Sequence, residues 1–139
     1  MKVSNRHRAR ELVVQGIYAW QLSGNAIEQV ELSMATSNDM KKVDTALFKR
    51  LIRGVGEHAD ELDIAIKPYL GRLPEELDPI EKAILRIATF ELKECIDIPY
   101  RVVINESVEL AKTFGAQESH KFINGALDKA VRKFREHEQ

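Results

Sequence analysis

Residues 78–92, DPIEKAILRIATFEL, contain the clearest helix start in the chain. Asp78 is a suitable N-cap, Pro79 takes the first helical position, and Glu81 stands three residues after the cap. The apolar residues that follow recur at spacings of three and four, at Ile84, Ile87, Ala88 and Leu92. This spacing predicts an amphipathic helix, which we number 4, ending before Pro99.

Three helices are predicted on the N-terminal side of this segment. Helix 1 has an apolar stripe from Ala9 to Trp20 and ends at the break around Gly24. A short, weakly amphipathic helix 2 follows over residues 27–35. Helix 3 is long, begins after the N-cap Asp44 and continues its stripe to Tyr69.

Two helices are predicted on the C-terminal side. Helix 5 runs through Ile104 and stops at Gly115, a residue type that tolerates a left-handed helix end. Helix 6 opens at Ser119. No segment alternates apolar and polar residues long enough to predict a strand. The sequence therefore predicts an all-α fold of roughly six helices.

Residues 70–79 contain two prolines and one glycine, and this composition predicts a seam between two groups of three helices. We expect a single domain over residues 1–139, with packed helical halves of about 1–73 and 74–139. No internal repeat is apparent.

Composition places the chain among globular proteins: 139 residues, 44% apolar and 31% charged. It shows neither a membrane-length apolar run nor a signal peptide. The single cysteine, Cys95, excludes an internal disulfide, and the four histidines lack metal-ligand spacing. We therefore expect a cytoplasmic protein that has no metal site and does not contact a membrane.

Enzyme signatures are missing from the sequence. No nucleophile elbow, phosphate-binding loop, zinc-binding helix motif or dinucleotide fingerprint occurs. The nearest approach, Gly54-Val55-Gly56, falls inside helix 3. The sequence thus predicts no catalytic residues and no cofactor, and it favours a binding protein.

The net charge of −1 conceals an asymmetry, because both ends are basic and the middle is acidic. The N-terminal group consists of Lys2, Arg6, His7, Arg8 and Arg10, which suit the phosphates of a nucleic acid if this terminus is mobile. The alternative is that the ends are simply solvated helix surfaces.

The start of helix 6 is a second candidate for RNA binding, with Glu118, Ser119, Lys121 and Phe122. Free backbone N–H groups at a helix start attract anions, and Lys121 adds positive charge. Phe122 is either a stacking surface for a base or the first core residue of the helix 6 stripe.

Carboxylates around the seam form a candidate surface for a basic protein: Glu75, Glu76, Asp78 and Glu81. Asp78 and Glu81 also have a local explanation as capping residues. Glu75 and Glu76 have no such explanation.

Four segments resemble the signature segments of the NusB transcription antitermination factor family: residues 6–18, RHRARELVVQGIY; 81–92, EKAILRIATFEL; 99–115, PYRVVINESVELAKTFG; and 119–129, SHKFINGALDK. The resemblance covers essentially the whole chain. It implies two three-helix halves and a non-enzymatic factor that binds single-stranded boxA RNA together with NusE, a small-subunit ribosomal protein. It also implies action within the RNA polymerase antitermination complex, supporting read-through in ribosomal RNA operons.

Carried onto this sequence, the resemblance implies an RNA surface made of the N-terminal group and the start of helix 6. It implies a partner surface centred on Tyr18 and Glu81, with Glu75 and Glu76 nearby. His7 departs from the family, because it interrupts the family's arginine run.

Two other kinds of protein remain as alternatives. Similar domains form the RNA-binding module of some ribosomal RNA methyltransferases, although 139 residues leave no room for a methyl-donor domain. The other alternative is an RNA-free adaptor or homodimeric helical module, in which the basic ends have no role.

Overall fold

The computed structural model describes residues 3–138, and six α-helices account for most of them. They are α1 (Asn5–Ser23), α2 (Ile27–Ser37), α3 (Thr45–Ile66), α4 (Pro79–Glu94), α5 (Tyr100–Phe114) and α6 (Ser119–Phe134). Single 3₁₀ turns, Lys67–Tyr69 and Pro74–Glu76, lie between α3 and α4. No strand occurs within residues 3–138, so the predicted all-α fold is confirmed.

Helix α4 is the centre of the fold. It packs against α1, α3, α5 and α6, and every residue from Ala83 to Leu92 is buried. The predicted one-sided stripe was therefore wrong for this helix, because a helix with neighbours all round has no solvent face. Its polar residues Arg86, Thr89 and Glu91 are buried as well.

Buried apolar side chains from all six helices form one connected cluster. The halves predicted over about 1–73 and 74–139 therefore share a core. Of the predicted seam, Leu70 is buried in this core, whereas residues 71–73 are exposed and Gly71 adopts a left-handed conformation with φ of 67°.

The predicted helix starts are confirmed. The Asp44 carboxylate accepts a 2.9 Å hydrogen bond from the N–H of Leu47. At α4, Asp78 accepts from the N–H of Glu81 at 2.8 Å, and Glu81 accepts from the N–H of Asp78 at 3.3 Å. This reciprocal pair satisfies two backbone donors that the helix itself leaves without partners.

The helix ends agree less well with the prediction. Gly24 ends α1 with φ of 72°, as the sequence suggested, but Gly115 is extended, with φ −93° and ψ 174°. A Cβ at Gly115 would lie 2.7 Å from the carbonyl oxygen of Ala111, so close approach, not handedness, favours glycine there. Helix α3 is kinked at His58, with φ −121° and ψ 18°, where a continuous helix was expected.

The C-terminal end of α4 is closed by a residue distant in sequence. The buried guanidinium of Arg135 donates hydrogen bonds to the carbonyl oxygens of Glu91, Leu92 and Cys95. Arg135 also pairs with Glu138, whose carboxylate accepts from the N–H of Tyr100 at 2.9 Å. The last turns of the described chain therefore hold the α4–α5 connection.

Candidate nucleic-acid interface

The described basic residues near the N-terminus, from Arg6 to Arg10, belong to a helix and not to a mobile arm. Helix α1 begins at Asn5, and the hydroxyl of Ser4 caps it by accepting from the N–H of His7 at 3.0 Å. Arg6 lies 3.5 Å from Asp44, and Arg8 lies 3.1 Å from Glu11. Lys2, predicted to belong to the same group, lies outside the described residues.

Arg10 was predicted to contact RNA, but its side chain is buried. Its side chain is 1% exposed, and its guanidinium donates hydrogen bonds to Glu91 of α4, the shortest 2.8 Å, and to Glu106 of α5 at 3.0 Å. Burial alone would lower the pKa of Arg10, but the bonds and charges of the two carboxylates outweigh it and raise the pKa. The guanidinium thus joins three helices and offers no surface to a phosphate.

His7 lies at the edge of this ion-pair network. Its Nδ1 is 2.8 Å from Oε2 of Glu106, and its Nε2 is 3.7 Å from Oε2 of Glu11. The half-buried imidazole therefore joins the first turn of α1 to the middle of α5. Arg6 and Arg8 are left as the cations of this turn that face outward.

The start of α6 differs from the free helix end that the sequence suggested. The N–H of Ser119 donates to the carbonyl oxygen of Ala116 at 3.0 Å, and the N–H of Lys121 donates to that of Glu118 at 3.2 Å. Ser119 is only 3% exposed. Its hydroxyl donates a 3.0 Å hydrogen bond to Glu81, so the predicted RNA contact from Ser119 is not available.

Lys121 and Glu118 are both well exposed at this end of α6. The Nζ of Lys121 lies 3.1 Å from Oε2 of Glu118. The carboxylate therefore reduces the positive charge that Lys121 presents to a ligand.

The sequence left open whether Phe122 is a stacking surface for a base or a core residue. Its ring is partly buried and packs against the core, as the second alternative predicted. The guanidinium carbon of Arg72 lies 3.7 Å from the ring centroid, so Arg72 covers the ring on its outer side. Sequence reasoning missed Arg72 because it falls in the irregular seam, where periodicity predicts nothing.

Glu81 was predicted to contact a protein partner, but it lies inside the fold. It is 6% exposed, and besides capping α4 it accepts from Ser119 and lies 3.6 Å from Nη1 of Arg72. Residues predicted for two separate surfaces, Glu81 and Ser119, thus meet in one buried contact. Glu81 holds the starts of α4 and α6 together.

Helix α5 contacts both segments that carry outward-facing cations: the first turn of α1, with Arg6 and Arg8, and the start of α6, with Lys121. His7 reaches it at Glu106, and six residues further on Lys112 lines a shallow groove of about 350 Å³ with His120 and Lys121. Six helical residues span about 9 Å along the axis. The α5 residue that pairs with His7 and the α5 lysine that lines this groove therefore lie a short distance apart along the helix.

The remaining predicted partner residues are at the surface. Tyr18 is 37% exposed, and Leu22, one turn further along α1, is exposed too. The side chain of Gln21 donates to the carbonyl oxygen of Pro79 at 2.9 Å, which places this end of α1 beside the start of α4. Glu75 and Glu76 are exposed on the preceding 3₁₀ turn. Leu22 was missed because an apolar residue off the stripe carries no signal of its own.

Across residues 3–138, no group of three or more potential ligand side chains is placed to hold a metal ion. Within the same residues, no helix is both long enough and apolar enough to cross a membrane.

A family model described as the NusB family matches residues 7–132. The chain belongs to the NusB family. The transcription antitermination protein NusB of Alteromonas mediterranea is 70% identical over 139 residues, which cover 100% of this chain and 99% of that protein. The NusB protein of Pseudoalteromonas atlantica is 62% identical over 138 residues, with 99% of each chain covered.

Solved NusB structures share the fold of this NusB-family chain. T. maritima NusB superposes with a TM-score of 0.80 at 31% identity, covering 96% of this chain and 94% of that one. A crystal structure of NusB and NusE in complex with double-stranded RNA gives 0.82 at 24% identity, covering 91% and 96%. At that identity the second likeness shows the fold alone. The resemblance seen in the four sequence segments is confirmed.

Proposed function

We propose that this chain is a transcription antitermination factor that binds boxA-like single-stranded RNA together with a NusE-type ribosomal protein. In this role it supports RNA polymerase read-through in ribosomal RNA operons, as part of an antitermination complex. Relatives that match it over their whole length are named transcription antitermination proteins, and a protein of the same fold was crystallised with NusE and RNA. The role is one of binding, without catalysis or cofactor, and bacterial transcription places it in the cytoplasm.

The observation that carries the RNA proposal is that exposed cations occur at two helix starts, one joined to α5 through His7 and the other sharing a groove with Lys112 of α5. Arg6 and Arg8 face outward at the first turn of α1, and Lys121 does so at the start of α6. Phosphate contacts by Lys and Arg supply most non-specific affinity for nucleic acids and make it dependent on salt. A strand crossing α5 would meet both groups.

A titration of the full chain against a boxA-like strand, a scrambled strand and a duplex tests this proposal, with and without the NusE-type protein. We expect the boxA-like strand to bind best. Replacing Arg6 and Arg8 by Ala should weaken binding and reduce the salt slope by about 0.7 for each phosphate that is no longer neutralised. Point substitutions are preferable to removing residues 1–10, because truncation would also remove the buried Arg10.

Lys49→Ala, at an exposed lysine of α3, is the matched control and should bind RNA as the parent chain does. Equal affinity for the boxA-like and scrambled strands would contradict the RNA proposal and favour an RNA-free adaptor. Preference for the duplex would overturn the single-stranded part of it.

The proposed protein-binding surface consists of Tyr18, Leu22, Glu75 and Glu76. Exposed apolar groups beside carboxylates suit a basic partner with an apolar patch. Leu22→Asp should weaken binding of the NusE-type protein by about tenfold or more in calorimetry, because a charge would then be buried in the contact.

Leu32→Asp, at an exposed leucine of α2, is the matched control. Glu81→Lys is unsuitable as a test, because it would break the contacts of Glu81 inside the fold. If both leucine variants bound the partner equally well, this surface would be wrongly assigned.

A further inference from the structure

Arg72 forms a flat, charged surface over Phe122. Its guanidinium carbon is 3.7 Å from the ring centroid, a distance typical of a stacked cation–π pair. The Arg72 side chain is 38% exposed, so the side of the guanidinium away from the ring is open to solvent. The contact thus has an aromatic ring beneath and an accessible plane above.

Glu81 stabilises this arrangement from one side. Its carboxylate is fixed by the N–H of Asp78 and the hydroxyl of Ser119, and its Oε1 lies 3.6 Å from Nη1 of Arg72. The position of the guanidinium is therefore set by groups that are themselves held in place. A preorganised side chain loses little conformational entropy when a ligand binds to it.

The surrounding charges select the kind of ligand. Glu81 balances much of the charge of Arg72, and Glu75 and Glu76 follow closely in the chain. Phosphates are repelled by such carboxylates, whereas a nucleobase is uncharged and flat. Unpaired bases in RNA complexes commonly stack on guanidinium planes as well as on aromatic rings.

We infer that the outer face of the Arg72 guanidinium is a stacking site for one base of the bound single-stranded RNA, with Phe122 as its support. The inference rests on the proposed RNA-binding function. It places the base on Arg72, whereas the sequence had suggested Phe122. Phe122 is then a positioning residue, since it holds Arg72 without touching the base.

Arg72→Lys is the decisive variant, because lysine keeps the charge but has no plane on which a base can stack. We expect its affinity for the boxA-like strand to fall roughly 5- to 100-fold. The slope of affinity against salt should stay unchanged, because the charge is kept. Arg101→Lys is the matched control, since Arg101 is exposed and lies 5.8 Å from the ring of Tyr100, and it should bind as the parent chain does.

A second variant tests the support. Phe122→Leu keeps an apolar side chain against the core but removes the ring beneath Arg72. It should also weaken RNA binding, and the Arg72→Lys/Phe122→Leu double variant should lose less than the sum of the two single effects, since both disrupt one stack. Thermal midpoints measured on the same samples show whether each variant is folded.

Four outcomes would overturn the inference. Unchanged RNA affinity in folded Arg72→Lys means that no base stacks there, while selective binding by the parent chain leaves the proposed function intact. Tighter binding means that Arg72 covers a base site on Phe122 itself. Weaker binding of the NusE-type protein with unchanged RNA binding assigns Arg72 to the protein surface. No selective RNA binding by the parent chain overturns the inference together with the proposed function.

Discussion

Glu118 stands immediately before α6, where a carboxylate has two opposing effects. Among the described residues its side chain accepts no capping hydrogen bond from the first turn, but it lies 3.1 Å from the ammonium group of Lys121. Its negative charge is attracted to the positive end of the helix dipole, which stabilises the folded chain. The same charge repels a phosphate that approaches Lys121.

Glu118→Gln should therefore bind RNA more tightly while folding slightly less stably. At low salt we expect a gain in RNA binding of about 1 kcal/mol, roughly fivefold, because one repulsion is removed and Lys121 is released. The free energy of unfolding should fall by about 0.3–1 kcal/mol. Dissociation constants at low salt and urea denaturation provide the two measurements.

Glu61→Gln, which removes a similarly exposed carboxylate from α3, controls for net charge and should leave RNA affinity unchanged. Should Glu118→Gln bind RNA no better than the parent chain, Lys121 and Glu118 do not face the RNA.

Which residues the sequence could predict depends on how far away their partners lie. Asp44 and Asp78 bond to backbone three residues on, so their caps are visible in a short window. Arg10 pairs with a residue 81 positions away and Ser119 with one 38 away. Only the fold brings these partners together, and both residues looked like surface groups for that reason.

The contact between α1 and α4 depends on a buried ion pair. Arg10→Met should lower the free energy of unfolding by about 3–5 kcal/mol, because Glu91 would be left buried without its partner. Replacing both residues, Arg10→Met with Glu91→Leu, should recover most of that loss. Urea denaturation at neutral pH compares the two variants with the parent chain.

RNA affinity gives an independent check on Arg10. Arg10→Lys keeps a cation and, where folded, should bind RNA like the parent chain, since the side chain is not at the surface. A loss of affinity and of salt slope equal to that of Arg6→Ala would show that Arg10 does contact phosphate.

Helix packing makes two glycines respond oppositely to the same substitution. A Cβ at Gly54 of α3 would run into the ring of Phe90 on α4, whereas a Cβ at Gly125 of α6 would meet no described atom within 4 Å. Gly54→Ala should destabilise the fold by about 1–3 kcal/mol through overpacking. Gly125→Ala should stabilise it by about 0.5–1 kcal/mol, because alanine loses less backbone entropy in a helix. Thermal and urea denaturation compare the two, and equal effects would contradict this account of the α3–α4 contact.

At the scale of the whole molecule, stability should fall at both ends of the pH range. Hydrogen bonds from Arg53 lower the pKa of Glu31, and those from Arg50 lower the pKa of Asp97. Such groups stabilise the fold above their unfolded pKa values, and this contribution is lost as the pH falls through the folded ones. The pKa of the Cys95 thiol is shifted in the opposite direction, because burial raises it from 9.0 to about 11.

Because of Cys95, the free energy of unfolding should fall as the pH rises from about 9 to 11. In this range the unfolded chain releases the thiol proton and the folded chain retains it. Urea denaturation across this range should show a smaller loss in Cys95→Ala than in the parent chain, because alanine has no proton to release. Parallel declines in the two proteins would rule out this role for the thiol. The buried thiol should also resist modification at pH 8 until the protein unfolds.

The number and type of the helices could be predicted from periodicity, and the four signature segments were enough to identify the family. The central position of α4 could not be predicted. Its stripe looked amphipathic because Lys82, Arg86 and Glu91 interrupt the apolar residues, yet two of these three are buried in ion pairs. Sequence spacing shows where apolar residues lie on a helix, but not how many neighbours surround it.

The closure of α4 by Arg135 sets an order of events during protein synthesis. Forty positions separate Cys95 from Arg135, and ribosomes add about 5–20 residues per second. Arg135 is therefore added about 2–8 s after Cys95, and until then the carbonyl groups at the end of α4 lack their guanidinium donor. Throughout that interval the C-terminal end of α4 in the nascent chain lacks the hydrogen bonds from Arg135, and the fold reaches its full stability only after Arg135 has been added.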